Sequence, residues 1–203
     1  TINPINDAPV LSFIGAQGTN EDTTLVITLS ASDIENNVIS FSATSGSPLD
    51  VSVNVSGDTL IMIPSEEYYG TVNITVTVTD DGEPNLSDSE TFILTVNLVQ
   101  DIPVVLGQIP LTILEDTPLE ISFDHLLVTD ADNVYPFDFT LIVLDNANYT
   151  VEGMTITPIS DFTGSLIVPV VLSDGDNDVL FDLLVSVTPL NDPPVFTAIP
   201  DIS

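Results

Sequence analysis

The chain has 203 residues, of which 31 are Asp or Glu, one is His and none is Lys or Arg, so its formal net charge is −31 at pH 7. A chain without Lys or Arg cannot neutralise phosphates, which excludes nucleic acid and anionic membrane surfaces as partners. Because 43% of the residues are hydrophobic and alternate with polar ones, the composition indicates folded domains and not acidic disorder.

The chain contains no Cys, which excludes disulfides and thiolate metal sites. No apolar run approaches the ~20 residues of a membrane span, so we expect no membrane insertion of this fragment. The negative charge has no internal counter-ion, and folding must proceed against self-repulsion. We therefore expect divalent cations or salt to offset it from outside.

One short phrase occurs three times, as Asn6-Asp7-Ala8-Pro9-Val10, Gln100-Asp101-Ile102-Pro103-Val104 and Asn191-Asp192-Pro193-Pro194-Val195. Its aspartates, at 7, 101 and 192, are 94 and 91 positions apart, which is the length of a β-sandwich domain. Proline makes each phrase short and stiff, as suits a joint between domains. The predicted divisions are 1–5 (end of a preceding repeat), 6–99 (repeat one), 100–190 (repeat two), and 191–203 (linker and first strand of a third repeat).

Repeat one shows a period of two along several segments. In Gly70–Thr79, Val72 and the alternate apolar residues after it share one face, and Asn73 and three threonines share the other, as in a half-buried strand. Similar patterns predict strands near 25–29, 38–43, 51–55, 59–63 and 92–98, with a hairpin turn at 56–58.

Repeat two follows the same plan, with Leu119 in place of Leu25 and Leu166 in place of Val72. Pro169 removes a ladder donor in mid-strand, so we expect that strand to be locally at an edge or bulged. No segment has a helical period. Short strands at regular spacing predict an all-β fold of tandem Greek-key sandwiches with about seven strands each.

Acidic residues recur at matching places in both repeats, before and after the predicted strands. Glu21-Asp22 and Glu115-Asp116 precede the first strand, and Asp33-Ile34-Glu35 and Asp130-Ala131-Asp132 follow it. Further acids flank the strand that contains Val72 in repeat one, Glu66-Glu67 before it and Asp80-Asp81 after it. The strand that contains Leu166 in repeat two has Asp161 before it and Asp174 and Asp176 after it. Loops of a sandwich gather at its two ends, so these carboxylates are predicted to meet at the joints.

The run from Val78 to Ser87 resembles the cadherin pattern A-x-D-x-G-x-P-x-x-S, and Asp130-Ala131-Asp132 resembles the cadherin D-x-D element. The joints at 6–9 and 191–194 are similar to the end of the cadherin linker. With Glu-Asp-Thr at 21–23 and 115–117, essentially the whole chain resembles the cadherin-like tandem repeats of large bacterial surface or secreted adhesins. The resemblance implies a secreted or cell-surface location.

In that family Ca²⁺ lies between successive sandwiches, and the resemblance implies ligands at three joints. The central joint takes Glu21, Asp101, Asp130, Asp132 and Asp174, with Glu67 as an addition; the first takes Asp7, Asp33, Glu35 and Asp80, with the Asn6 carbonyl; the last takes Glu115, Asn191 and Asp192, with Asp161 as an addition. Glu35 departs from the family's D-x-D, and Gln100 replaces the linker asparagine. Clustered carboxylates that repel each other are also what a hard divalent cation requires.

The sequence therefore predicts a calcium-binding, calcium-stiffened extender whose partners are Ca²⁺ and neighbouring repeats of the same chain. The alternative is an adhesion module that binds polysaccharide directly or another copy of itself. An enzyme is not expected, because no nucleophile, base and oxyanion donor form a recognisable set.

Overall fold

The computed structural model describes residues 5–193, and the chain divides into two compact units, Thr1–Val99 (unit 1) and Gln100–Ser203 (unit 2). Predictions about the end of a preceding repeat at 1–4 and a third repeat at 194–203 lie outside the described residues.

Unit 1 is built from strands whose alternating sequence places every second side chain in the interior. They are β1 (Val10–Leu11), β2 (Gln17–Asn20), β3 (Leu25–Thr28), β4 (Ala31–Ser32), β5 (Ser40–Ser45), β6 (Val51–Ser56), β7 (Thr59–Pro64), β8 (Gly70–Thr79) and β9 (Ser87–Asn97).

Two sheets of unit 1 face each other. One has the order β2-β9-β8-β5 and the other β3-β7-β6, while β1 pairs with β4. The predicted alternation in β8 is confirmed, since its apolar residues pack with those of the opposite sheet. The shared core includes Ile74 and Leu94 from the larger sheet and Val51, Leu60 and Met62 from the smaller one. Burying these faces supplies the main drive to fold.

Unit 2 repeats the plan with its own strands. They are β10 (Val104–Gln108), β11 (Leu111–Leu114), β12 (Leu119–Glu120), β13 (Leu126–Thr129), β14 (Thr140–Val143), β15 (Tyr149–Glu152), β16 (Thr155–Pro158), β17 (Gly164–Ser173) and β18 (Asp178–Thr188). A short 3-10 helix, Phe123–His125, lies between β12 and β13.

The sheets of unit 2 have the orders β11-β18-β17-β14 and β12-β16-β15, and β10 pairs with β13. Pro169 lies in β17, which is interior to its sheet. The ladder to β14 ends at the pair Val143–Val170, and beyond it Leu144 N donates to Pro169 O. The missing donor of Pro169 thus faces the place where β14 ends, and the expectation of a local edge is confirmed on that side.

The all-β sandwich predicted from the alternation is confirmed in both units. The sequence did not predict β2 or β11, which pair in parallel with the last strand of their units. These segments (Gln17–Asn20 and Leu111–Leu114) are only four residues long and carry little periodic signal. Within residues 5–193, no helix is long and apolar enough to cross a membrane.

Candidate metal centre

The linker aspartate of unit 2 is held against the D-x-D segment. Asp101 N donates to Asp132 Oδ2 at 2.8 Å, and carboxylate oxygens of Asp101 and Asp132 lie within 4.8 Å of each other. Two carboxylates this close repel each other when both are ionised, and no Lys or Arg exists in the chain to separate them. A cation between them would remove the repulsion.

Asp130 is fixed through one oxygen only. Its Oδ1 accepts hydrogen bonds from Asp132 N at 3.0 Å and Asn133 N at 2.7 Å, which tightens the turn after β13. Its Oδ2 is buried and has no hydrogen-bond partner. A buried carboxylate oxygen without a donor costs free energy, so Asp130 Oδ2 is a candidate cation ligand.

Asp174 completes this group in unit 2. It is 9% exposed, and its Oδ1 accepts from Asp176 N at 2.8 Å and Asn177 N at 2.6 Å. The Asn177 amide donates to Asp101 O at 3.1 Å and to Asp174 Oδ2 at 3.3 Å. These bonds join the four acids into one set, called the unit 2 cluster: Asp101, Asp130, Asp132 and Asp174.

Unit 1 carries a related set, the unit 1 cluster: Asp7, Asp33, Glu35 and Asp80. Asp7 N donates to Glu35 Oε2 at 3.2 Å, so Glu35 takes the place that Asp132 has in unit 2 despite its longer side chain. Asp33 Oδ1 accepts from Asn37 N at 2.9 Å, while Asp33 Oδ2 is buried without a partner. A hollow of about 460 Å³ adjoins Asp7 and Asp33.

Asn6 ties Asp80 to the linker of unit 1. The Asn6 amide donates to Asp80 Oδ2 at 3.0 Å and to Pro84 O at 2.9 Å, and its Oδ1 accepts from the Asn37 amide at 2.5 Å. A Cβ at Gly82 would lie 2.0 Å from Asn6 Oδ1. A side chain at 82 would therefore have to displace the Asn6 amide from its hydrogen bonds.

The acids predicted at the far end of each unit are buried. Glu21 is 4% exposed and Glu115 is 5% exposed. Glu21 Oε1 accepts a hydrogen bond from Val99 N, and Glu115 Oε1 accepts one from Leu190 N at 2.6 Å. Glu21 Oε2 is buried with no partner. Leaving a buried carboxylate oxygen without a hydrogen-bond partner costs free energy.

The remaining predicted residues lie in exposed turns at the same ends of the units. Glu67 and Asp161 both have positive φ, at 57° and 60°, and their N–H groups donate to Asp22 and Asp116 at 3.2 and 3.3 Å. These bonds shape the turn. Asn191 and Asp192 are exposed.

Two clustered acids have shifted pKa values. Burial by itself would raise the pKa of Asp80, but hydrogen bonds from Leu86 N, Asn6 and Gly82 N outweigh it and hold the pKa below its ordinary value. For Asp174, burial again raises the pKa, and donors from Asn177 and Asp176 lower it further than burial raises it. Both groups stay ionised at neutral pH, as a cation ligand must.

The lowered pKa of Asp174 predicts an acid-dependent contribution to stability. Its hydrogen bonds stabilise the folded chain above the unfolded pKa of about 3.9, and that contribution is lost as pH falls through the lower folded pKa. In EGTA, Asp174→Asn should therefore destabilise unit 2 near neutral pH and lose its effect in acid. Urea unfolding at several pH values would measure this. The exposed Glu152→Gln serves as charge-matched control, and an Asp174→Asn penalty independent of pH would contradict the prediction.

Sequence reasoning missed the amide side chains that bind the clusters together. Asn37 and Asn177 each follow an acid by three or four residues, and their backbone N–H groups donate to it. The available signal was an Asn three residues after Asp174 and four residues after Asp33. Asp22 and Asp116 were likewise seen only as neighbours of the glutamates, although they anchor the opposite turn.

Comparisons with known proteins agree with this architecture. A family model described as Bacterial Ig domain matches residues 6–96. No curated protein sequence matches the chain.

Solved cadherin structures are similar in fold. The chain is 17% identical to Drosophila N-cadherin EC1-4 with a TM-score of 0.59, covering 92% of this chain and 50% of that one. It is 14% identical to human Protocadherin-24 EC1-2 with a TM-score of 0.58, covering 93% and 100%. For Protocadherin Gamma B2 domains 3-6 the values are 19%, 0.52, 93% and 55%.

The chain thus spans about half the length of the Drosophila and Gamma B2 structures. At these identities the likeness concerns the fold. Unit 1 matches the Bacterial Ig domain model, and the two β-sandwich units have the cadherin/immunoglobulin-like fold in tandem.

Proposed function

We propose that the chain is a calcium-binding, calcium-stiffened extender segment of a large secreted or cell-surface adhesin-type protein. The observation that carries this proposal is the set of buried carboxylate oxygens without hydrogen-bond partners, on Glu21, Asp33 and Asp130. Each belongs to a side chain whose other oxygen is fixed by a backbone N–H. Such oxygens are positioned ligands in a chain that has no Lys or Arg to pair with them.

Calcium suits these sites better than other common cations. It takes 6–8 oxygen ligands in irregular arrangements, whereas Mg²⁺ requires a near-ideal octahedron and keeps its waters. Carboxylates and carbonyls are the available donors, and the chain has no Cys and one His. Extracellular calcium modules bind with a Kd of about 10⁻⁴–10⁻³ M, which would suffice for a segment exposed to millimolar calcium.

The ligand assignment follows the clusters. In unit 2 we assign Asp101, Asp130, Asp132 and Asp174, and in unit 1 the buried Glu21 is a further ligand. Asp7, Asp33, Glu35 and Asp80 form the corresponding site of unit 1. Glu115, Asn191 and Asp192 are assigned to the far end of unit 2, and Glu67 and Asp161 are additional candidates.

The extender role follows from electrostatics. Without cations, the clustered carboxylates repel each other and loosen the linkers that carry Asp7 and Asp101. A bound divalent ion converts this repulsion into a bond between linker and loops. Stiffening of successive units then projects whatever module the parent protein carries away from its attachment point.

Calorimetric titration with Ca²⁺ tests the site, and small-angle scattering of the same samples tests the stiffening. Asp130→Asn should weaken Ca²⁺ binding by about tenfold or more, because it removes one charged ligand from a site of few ligands. The mutant should also show the same scattering profile with and without Ca²⁺, while the parent chain becomes more extended. Glu152→Gln is the charge-matched control and should bind like the parent. Equal titrations for all three proteins would contradict the proposal.

A further inference from the structure

The outer face of the four-stranded sheet differs between the two units. In unit 1 the outward positions of β8 and β9 are polar, and Thr75 pairs with Thr91 and Thr79 with Ser87 through hydroxyl hydrogen bonds of 2.8 Å. A solvated sheet face normally has this character. Ile93 is the large apolar exception on β8 and β9, at 51% exposed.

In unit 2 the middle of the corresponding strands carries apolar outward residues, while their ends carry Ser, Thr and Asp. Ladder partners across the sheet place Ile142 beside Val171 and Val171 beside Leu180, with Ile167 beside Leu184 in another row. We call these five residues, together with Leu144 and Pro169 from the row between them, the apolar face of unit 2. Its members are Ile142, Leu144, Ile167, Pro169, Val171, Leu180 and Leu184.

These side chains remain in contact with solvent within unit 2. Leu180 is 63% exposed, Ile142 56% and Leu184 53%. Isolated exposed apolar residues are common, but a contiguous group on one sheet face indicates an interaction surface. Unit 1 has Asn73, Thr77 and Ser89 where unit 2 has Ile167, Val171 and Leu180, so the same scaffold folds without apolar residues at these three positions.

Two carboxylates adjoin this face on opposite sides. Asp145 comes two residues after the end of β14, whereas Asp182 lies on β18 between Leu180 and Leu184. Asp182 is the ladder partner of Pro169, and Asp145 follows Leu144; both are exposed. Both act on Tyr149, whose pKa is raised by burial and then by the charges of Asp145 and Asp182. Neither acid can have an internal cationic partner, because the chain has no Lys or Arg.

A shallow groove continues the face beyond β18, on the side of β11. It has a volume of about 600 Å³ and meets the apolar face at Leu184. Pro110, Leu111, Ser165 and Ser186 contribute to its lining. An occupant could therefore extend from the acidic edge at β14 across the sheet to β11.

We propose that the outer sheet face of unit 2 docks a protein partner that presents an apolar surface with Lys or Arg at its rim. Charge complementarity selects this occupant over a second copy of the chain, since each copy carries −31 and no cation. Apolar contact supplies the affinity at the centre of such an interface, and rim charges supply orientation and specificity. This interaction is independent of calcium binding at the unit ends.

The test uses the full chain and a short peptide of alternating leucine and lysine as probe, with fluorescence anisotropy as the readout. A triple variant, Ile167→Asn/Val171→Thr/Leu180→Ser, gives unit 2 the residues that unit 1 has at the equivalent positions (Asn73, Thr77 and Ser89). It leaves the charge unchanged. We expect it to bind the peptide at least about tenfold more weakly than the parent, as loss of a central apolar group does.

Two further variants separate the contributions. Asp145→Asn/Asp182→Asn should weaken binding several-fold and reduce its salt dependence, whereas Ile93→Thr in unit 1 should change nothing. A peptide of alternating leucine and glutamate should not bind. Circular dichroism melts would establish that each variant folds, which is expected because every substituted side chain points outward.

Two outcomes would overturn the proposal. Equal peptide binding by the triple variant and the parent would mean that the probe senses only the overall negative charge. Concentration-dependent dimerisation of the parent in analytical ultracentrifugation, absent in the triple variant, would show that a second copy covers this face.

Discussion

Calcium should raise the melting temperature of the chain strongly. At free Ca²⁺ about 100 times Kd, mass action stabilises a single site by about 2.7 kcal/mol, which for a sandwich of this size corresponds to roughly 10–20 °C. The physical reason is that the clusters exist only in the folded chain, so the ion binds the native state alone. Differential scanning calorimetry in EGTA and in Ca²⁺, at equal ionic strength, measures the shift.

Matched salts distinguish a site from general screening. Mg²⁺ at the same concentration should produce a much smaller shift, because Mg²⁺ demands near-ideal octahedral geometry and gives up its waters reluctantly. Asp130→Asn should reduce the Ca²⁺ shift while leaving the melt in EGTA nearly unchanged or slightly raised. Identical melts of the parent in EGTA, Mg²⁺ and Ca²⁺ would mean that the acidic loops serve only for solvation.

Glu21→Gln should have opposite effects with and without calcium. In EGTA the substitution removes a buried charge whose Oε2 has no partner, and the amide oxygen can still accept from Val99 N, so stability should stay equal or increase. In Ca²⁺ the parent gains free energy of unfolding from the bound ion, and the variant should lose most of that gain. We expect the loss to be about 1–3 kcal/mol, because the ion loses one charged ligand. Urea unfolding in both buffers measures the two effects.

Two control variants make this reversal decisive. Glu66→Gln, an exposed acid of the same unit, should change neither buffer's result beyond about 0.5 kcal/mol. Glu115→Gln should share the EGTA effect, since Glu115 is buried and accepts from Leu190 N as Glu21 accepts from Val99 N. If Glu21→Gln destabilised the chain equally in both buffers, Glu21 would be a structural hydrogen-bond acceptor and not a ligand.

Much of the fold could be predicted because alternation is a local property. The alternation over Gly70–Thr79 predicted β8 with the bounds that it has, and the hairpin at 56–58 joins β6 and β7 as expected. β2 and β11 could not be predicted, since a four-residue strand in parallel pairing depends on a partner far away in the sequence. Local propensity does not report such pairing.

For the candidate sites, the acidic residues could be predicted because they recur at matching places in both repeats. The hydrogen bonding of each carboxylate oxygen could not be predicted from the sequence. Asp33 and Asp130 each keep one buried oxygen without a partner, whereas both oxygens of Asp80 accept hydrogen bonds. The difference arises from Asn6, whose amide reaches Asp80 across 74 positions of the chain.

The sequence by itself determined the repeat length, the inward face of the long strands and the excess of carboxylates without counter-ions, because these follow from composition and local periodicity. The tertiary structure alone decided which carboxylate oxygens are held by N–H donors and which remain buried without one. It also brought the outward residues Ile142, Val171 and Leu180 into one row of the unit 2 sheet, where unit 1 has Thr77 beside Ser89. Both depend on contacts between distant segments, such as Glu21 with Val99, which are separated by 78 positions. Only the assembled sheets bring such pairs together.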